Sequence, residues 1–186
     1  TSPHIARDGA QTHVVAGTTA VQHGDPRRFP LLLLSMLLGG GMSSRLFQRV
    51  REEVGLAYSV YTFQQFFAVM GLHGIYVATA PETAKSALAT IREELHVVSE
   101  RGLPDEEVEM GKSQLKGSMT LSLESVSSRM YRAAAVELYG EPYRTLDEVL
   151  AEVQRIEPSE VASIAKEFFA PERQRVVSLG PAPAAD

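Results

Sequence analysis

The sequence predicts an α+β domain in which helices pack on one face of a mostly antiparallel β-sheet. Segments rich in β-branched and aromatic residues occur at residues 12–17, 58–67, 69–79 and 175–179, and amphipathic helical stretches lie between them. The chain has 186 residues, of which 44% are apolar and 22% charged, and these values suit one domain with a sizeable core. The predicted order of elements is β-α-α-β-β-α-α-α-α-β.

The first third of the chain carries one strand and two helices. Residues 12–17, THVVAG, form the strand, and Asp25-Pro26 is a helix-start signal for a helix that ends near Leu38. We expect Gly39, Gly40 and Gly41 to end this helix, because glycine adopts the left-handed conformation that closes helices. Ser43 and Ser44 are N-cap residue types, and a second helix is predicted over residues 45–54, with its apolar positions at 46, 47, 50 and 54.

The rest of the chain begins with a hairpin. Its strands are predicted at residues 58–67 and 69–79, and Gly71 and Gly74 inside the second strand indicate a bulge or a close backbone approach. Four helices are predicted next, at residues 81–101, 104–139 with a bend near Ser122, 145–156 and 159–169, before a last strand at 175–179. The single domain is assigned to residues 11–181. Residues 1–10 are interpreted as a linker or cut end, and residues 182–186 as a frayed tail.

Composition excludes several classes of function. The net charge of −5 argues against a nucleic-acid partner. The absence of cysteine excludes disulfides and thiolate metal sites, and it fits a reducing compartment. The longest apolar run, residues 31–38, is far shorter than the roughly 20 residues that cross a bilayer, so we expect no membrane partner. No signal-peptide pattern is present at the N-terminus, and we expect a cytoplasmic protein.

One stretch, LLGGGMSSRLFQRVREEVGLAYSVY at residues 37–61, carries the candidate chemistry. Arg51 lies near the end of the second predicted helix and Tyr58 near the start of a strand, with Gly55 in the bend between them. This arrangement allows one cationic and one phenolic hydrogen-bond donor to point into the same space. The alternative interpretation is that Arg51 pairs with a nearby glutamate and that Tyr58 belongs to the core.

This stretch resembles the second half of the pitrilysin/insulinase family of zinc metallopeptidases, of the mitochondrial processing peptidase type. Those second halves carry a glycine turn, then Ser-Arg-Leu-Phe, then an Arg followed seven positions later by a Tyr. Here these are Gly39–Gly41, Ser44-Arg45-Leu46-Phe47, Arg51 and Tyr58, and the resemblance extends over roughly residues 11–181. It implies the half-domain fold of that family.

The resemblance also implies a function. The chain would be the non-zinc half of a zinc metalloendopeptidase, inactive alone, that binds an extended peptide substrate opposite a homologous zinc-bearing domain or subunit, and a homodimer is possible when it is isolated. Arg51 and Tyr58 would act as catalytic donors to the substrate backbone, and Gly40 and Gly41 would contribute weakly to substrate binding. A non-catalytic scaffold or partner subunit of the same fold is the alternative.

A zinc site is not predicted within this chain. The family's zinc-binding half carries His-x-x-Glu-His, whereas the five histidines here stand at positions 4, 13, 23, 73 and 96, with no two of them four residues apart. Zinc requires several ligands held together. We therefore predict no cofactor in this chain and zinc in the partner half, and we interpret His13 and His73 as strand residues with ordinary hydrogen bonds.

Overall fold

The computed structural model describes residues 2–181, 183 and 184, and its centre is a five-stranded sheet with the strand order β1-β5-β2-β4-β3. The pairs β2–β4, β2–β5 and β3–β4 are antiparallel, while β1 and β5 pair in parallel. The predicted mostly antiparallel sheet is therefore confirmed. The strands are β1 His4–Ala6, β2 Thr12–Ala20, β3 Ser59–Phe66, β4 Gly71–Thr79 and β5 Arg175–Gly180.

The α-helices follow the predicted order, except that the predicted bent helix at residues 104–139 is two separate helices, α3 and α4. They are α1 Arg28–Gly39, α2 Ala84–Arg101, α3 Asp105–Ser122, α4 Val126–Tyr139, α5 Leu146–Gln154 and α6 Pro158–Ile164. Short 3₁₀ turns at Pro81–Thr83 and Pro171–Arg173 precede α2 and β5, and π-helical turns lie at Phe47–Glu53 and Ala165–Phe169. Among the described residues, no helix is long and apolar enough to cross a membrane.

The core lies between one face of the sheet and the helices. Along β2 the even-numbered side chains are buried and those on the opposite face are half-buried or exposed, as period-2 alternation requires. The apolar stripe predicted for α2 is confirmed, because its six members are all at most 2% exposed: Ala84, Ala87, Leu88, Ile91, Leu95 and Val98. Packing against this stripe gives the helix its stability, since burial of an apolar face contributes more than helix propensity.

The chain ends differ from the expected linker and tail. Residues 4–6, within the expected linker, form β1, which pairs with the edge of β5 while His4 Nδ1 lies 2.9 Å from Ser178 Oγ. Three residues are too short for a strand pattern to be visible in sequence, so only the pairing reveals this strand. In the tail that we expected to be frayed, Ala184 is buried, and residues 182, 185 and 186 lie outside the described residues.

The triple glycine ends α1, but not by the mechanism we predicted. The positive-φ glycines are Gly55, Gly102, Gly140 and Gly180, and Gly40 has φ −84°, so the left-handed closure expected at residues 39–41 is wrong. The reason for glycine here is steric. A Cβ on Gly39 would lie 2.6 Å from the backbone nitrogen of Thr62, and one on Gly40 would lie 2.7 Å from the carbonyl oxygen of Met36.

Close approach also explains a glycine of the hairpin. A Cβ on Gly74 would collide with the ring of Phe63, and β4 pairs with both of its neighbours without a bulge. Of the two explanations offered by the sequence, close backbone approach is the one that the structure supports.

Candidate functional site

The segment between Val50 and Tyr58 turns the chain from a helix into the edge strand β3. Gly55 adopts φ +66°, which permits the reversal, and the Leu56 N–H donates to the Val50 carbonyl over 2.9 Å. The Leu56 carbonyl accepts a hydrogen bond from the buried hydroxyl of Thr79, and the Tyr58 N–H donates to the Ala78 carbonyl over 2.9 Å. The bend is thus tied to the helical turn at one end and to β4 at the other.

The helical turn before this bend is π-helical over Phe47–Glu53, where the sequence predicted an α-helix. A π-turn closes i→i+5 hydrogen bonds, so its side chains follow a different period around the axis from the α-helical one used for the prediction, and Val54 lies just beyond the end of this turn. Leu46 and Val50 remain fully buried, whereas Val54, predicted to lie on the same apolar face, is exposed. Such π-segments frequently occur at functional sites.

Arg51 lies in this π-helical turn with its side chain 46% exposed. Its guanidinium carbon lies 4.8 Å from the ring centroid of Phe47, and its Nε is 3.9 Å from the nearest carboxylate oxygen of Glu52. That separation makes a loose ion pair with a neighbouring glutamate, as the alternative interpretation allowed, but it is too long for a hydrogen bond. Within the described part of the chain the guanidinium makes no hydrogen bond, so its planar set of donors remains available to a ligand.

Tyr58 lies at the start of β3 and is 59% exposed. The interpretation of Tyr58 as a core residue is therefore wrong. Its backbone is held by β4, and its phenolic oxygen has no hydrogen-bond partner among residues 2–181, 183 and 184. No hydrogen bond or ring contact of these residues joins Tyr58 to Arg51. The structure leaves both side chains exposed and without a hydrogen bond among the described residues, on either side of the same tethered bend.

Arg45, which belongs to the same sequence motif, has a different role. Its guanidinium forms ion pairs with Glu94 of α2 and, over 2.8 Å, with Glu107 of α3. These two carboxylates raise the pKa of Arg45 against the opposing effect of its burial. Arg45 therefore fastens the start of the helical turn to two helices. Sequence analysis missed this role, because Glu94 and Glu107 carry no local pattern that marks them as partners of a residue 49 and 62 positions away.

Gly40 and Gly41 lie in an exposed loop after α1. The Gly40 N–H donates to the Met36 carbonyl over 2.8 Å, and the Gly41 carbonyl accepts from the hydroxyl of Ser44 over 2.6 Å. A Cβ on Gly41 would meet nothing within 4 Å. No hydrogen bond of the described chain connects this loop with Arg51 or Tyr58, so the structure does not bring the predicted weak substrate-binding residues into contact with the predicted catalytic pair.

The histidines of the described chain do not fit a zinc site. His13 Nδ1 lies 2.7 Å from the Tyr76 hydroxyl, and His23 Nδ1 lies 2.9 Å from Glu141 Oε1. His73 is fully buried, with Nε2 3.2 Å from Ser35 Oγ, and desolvation lowers its pKa to about 3. Over the described residues, no three His, Asp or Glu side chains group together as metal ligands would. Each of these three imidazoles has a hydrogen-bond partner within the described chain. The hydrogen bonds expected for the strand residues His13 and His73 are therefore confirmed.

Comparison with known proteins places these observations in a family context. Residues 3–115 match the family model described as the peptidase M16 inactive domain. An uncharacterized zinc protease of Streptomyces coelicolor is 38% identical over 177 residues, which cover 95% of this chain and 38% of that relative. The uncharacterized zinc protease YmxG of Bacillus subtilis is 37% identical over 163 residues, which cover 88% of this chain and 40% of YmxG. The chain thus spans about two fifths of the length of these relatives.

Solved structures share the fold. The crystal structure of a peptidase M16 inactive domain from Pseudomonas fluorescens superposes with a TM-score of 0.87 at 24% identity, covering 99% of this chain and 44% of that one. A chain of complex III from Candida albicans superposes with a TM-score of 0.88 at 16% identity, covering 100% of this chain and 47% of that one. At these identities the likeness concerns the fold alone.

Proposed function

This chain belongs to the peptidase M16 family as an inactive, C-terminal domain of zinc protease-like proteins, and we propose that it completes the active site of a zinc metalloendopeptidase. Zinc and the water that attacks the peptide would come from a homologous zinc-bearing half outside this chain. The donor set of the described residues does not fit zinc, which supports this division of labour. The chain alone is expected to be inactive.

In this proposal Arg51 and Tyr58 bind the backbone of an extended peptide substrate. During peptide hydrolysis negative charge develops on the carbonyl oxygen, and preorganised donors aimed at that oxygen stabilise the transition state. The Arg51 guanidinium offers a planar set of cationic donors, and the Tyr58 hydroxyl adds a donor on a rigid ring. The observation that carries the proposal is that both groups are exposed and make no hydrogen bond within the described chain, beside a backbone bend tethered by hydrogen bonds.

The loop at Gly40 and Gly41 is a weaker part of the proposal. It is exposed and open in front of Gly41, so an extended peptide has room to approach its backbone. A cytoplasmic location belongs to the same proposal and rests on the absence of cysteine from the chain.

A non-catalytic scaffold is the second candidate. The fold is shared with a chain of Candida albicans complex III, an assembly in which a domain of this fold is one part. A scaffold does not require an exposed arginine and tyrosine whose donors make no hydrogen bond, so the geometry at Arg51 and Tyr58 favours the catalytic proposal.

Reconstitution tests the proposal. The purified chain should contain no stoichiometric zinc and hydrolyse no peptide, whereas the chain combined with the zinc-bearing half should cleave internally quenched peptides. One tightly bound zinc per isolated chain, measured by elemental analysis, contradicts the assignment as the metal-free half. A combined protein that binds zinc and shows no peptidase activity supports the scaffold.

A further inference from the structure

The last two residues of β4 hold the backbone of the bend that precedes Tyr58. The Ala78 carbonyl accepts a hydrogen bond from the Tyr58 N–H over 2.9 Å, and the Thr79 hydroxyl donates to the Leu56 carbonyl. Thr79 is fully buried. A hydrogen bond that is shielded from water is electrostatically stronger than an exposed one. The end of β4 therefore fixes two backbone groups of the bend.

Leu56 connects the two donors of the proposed site. Its N–H donates over 2.9 Å to the Val50 carbonyl, which belongs to the helical turn that carries Arg51. Its carbonyl is bound by the end of β4, beside the residue that holds Tyr58. Gly55, immediately before Leu56, lacks a side chain that would restrict the backbone. The two hydrogen bonds of Leu56 therefore set where the helical turn lies relative to Tyr58.

A second threonine orients the hydroxyl of Thr79. The hydroxyl oxygens of Thr79 and Thr83 are 2.6 Å apart, whereas Thr83 Oγ1 is 3.1 Å from the Ala80 carbonyl. Each hydroxyl has one hydrogen to donate. Because the hydrogen of Thr79 is directed at the Leu56 carbonyl, Thr83 is the donor in the shorter contact between the two hydroxyls. Hydrogen bonds aligned in this way, from Thr83 through Thr79 to Leu56, polarise and strengthen one another.

Helix α2 supports the segment of the two donors at both of its ends. Thr83 directly precedes α2, and Glu94 within the helix forms the ion pair with Arg45 at the start of the helical turn. The buried apolar stripe of α2 fixes this helix in the core. The segment from Arg45 to Tyr58 is therefore attached to one rigid element at its beginning and, through the two threonines, at its bend.

We propose that Thr79 is a positioning residue for Arg51 and Tyr58, an inference that rests on the catalytic function proposed for these two residues. Thr79 acts through the Leu56 carbonyl. Thr83 Oγ1 is 3.4 Å from the same carbonyl, too far to replace Thr79 fully. Loss of the Thr79 hydroxyl therefore loosens the bend and makes the spacing of the two donors variable. A displacement of about 1 Å in a catalytic site costs about 10²-fold in rate.

Thr79→Val in the combined enzyme tests the positioning role. Valine keeps the branched shape and removes the hydroxyl, so kcat should fall about tenfold or more with unchanged zinc content. Thr79→Ser keeps the hydroxyl and should restore most of the wild-type kcat. Thr62→Val is the matched control, because it removes a hydroxyl that donates to the Ser35 carbonyl over 2.7 Å, farther along β3. Melting curves check that all variants are folded, and equal kcat values for Thr79→Val and Thr62→Val overturn the proposal.

A double-mutant cycle separates positioning from a general loss of stability. Once Tyr58→Phe has removed the phenolic donor, the exact place of that ring matters less. Thr79→Val should therefore lower kcat by a smaller factor in the Tyr58→Phe background than in the wild type. A fold that is merely weakened lowers kcat by the same factor in both backgrounds, and this outcome overturns the proposal.

Amide hydrogen exchange of the 186-residue chain, followed by NMR, tests the bend without requiring activity. Thr79→Val should speed exchange of the Leu56 and Tyr58 amides about fivefold or more, while the amides of α2 stay protected. Thr62→Val should leave both rates unchanged. Unchanged Leu56 and Tyr58 rates in Thr79→Val overturn the inference. If the rates rise but Arg51→Lys and Tyr58→Phe retain full turnover in the combined enzyme, Thr79 holds the bend and the proposed catalytic function is what fails.

Discussion

The guanidinium of Arg51 stacks on the ring of Phe47, with 4.8 Å between the guanidinium carbon and the ring centroid. This contact positions the arginine side chain, while its N–H donors make no hydrogen bond with the described residues. A cation–π contact at an exposed site contributes roughly 0.5–1 kcal/mol, so it orients the group without contributing much to the stability of the fold. The same contact therefore preorganises Arg51 for a ligand.

Arg51→Lys should impair turnover in the combined enzyme with little change in thermal stability. Lysine keeps the charge and loses the planar set of donors. Steady-state kinetics beside a melting curve measures both effects. Arg49→Lys is the matched control, because Arg49 lies in the same helical turn and is exposed, but it pairs with Glu53 over 2.7 Å. Equal turnover in the two variants would remove Arg51 from the mechanism.

Tyr58→Phe should lower turnover by about 10²–10³, the usual cost of losing one transition-state donor. The melting temperature should stay near that of the wild type, because the hydroxyl has no hydrogen-bond partner in the described structure and the ring is retained. Zinc content of the combined enzyme should not change. Tyr143→Phe, at another exposed tyrosine, serves as control and should leave turnover unchanged. Normal turnover of Tyr58→Phe would argue against a catalytic hydroxyl.

Gly39→Ala should destabilise the chain by about 1–3 kcal/mol, the usual cost of overpacking. Its Cβ would collide with Thr62 on β3 and force α1 away from the sheet. Gly41→Ala should change the free energy of unfolding very little, since its Cβ enters open space and its φ is not positive. Urea denaturation of the two variants measures the difference. Because Gly41→Ala leaves the fold intact, a loss of peptide affinity in that variant would report on substrate binding at the loop.

The stability of the chain should fall as the pH is lowered from about 6.5 toward 5. Burial lowers the pKa of His73 to about 3, well below its value of 6.5 in an unfolded chain, so over this range only the unfolded state binds the proton. Asp25, Glu141 and Glu148 also have lowered pKa values, but they lose their stabilising effect only below about pH 4.5. The contacts of His73 with Ser35 and Phe169 involve no titrating group.

His73→Asn should flatten this dependence, although the variant is less stable at pH 7. Urea unfolding at intervals between pH 5 and 7 gives the slope for each protein. The informative quantity is the slope, because the loss of packing lowers stability equally at every pH. An unchanged slope would show that another group governs the response.

The sequence by itself determined the elements whose patterns are local. The stripe of α2, the hairpin of β3 and β4 and the placement of Arg51 and Tyr58 around Gly55 all depend on residues within a few turns or strand positions of one another. Local sequence patterns, such as helix and strand periodicity, therefore predicted these features directly. The family motif likewise occupies one continuous stretch, and its match to the inactive domain of peptidase M16 is confirmed.

Only the tertiary structure decided what depends on distant partners. Arg45 pairs with glutamates 49 and 62 positions away, Gly39 is constrained by Thr62 on another element, and β1 exists because the edge of β5 is free to receive it. The sequence predicted α4 as the second part of a bent helix, but that none of its 14 residues is buried follows from how the domain packs. Periodicity records which side of an element is apolar, whereas the partner that covers that side is set by the long-range arrangement of the chain.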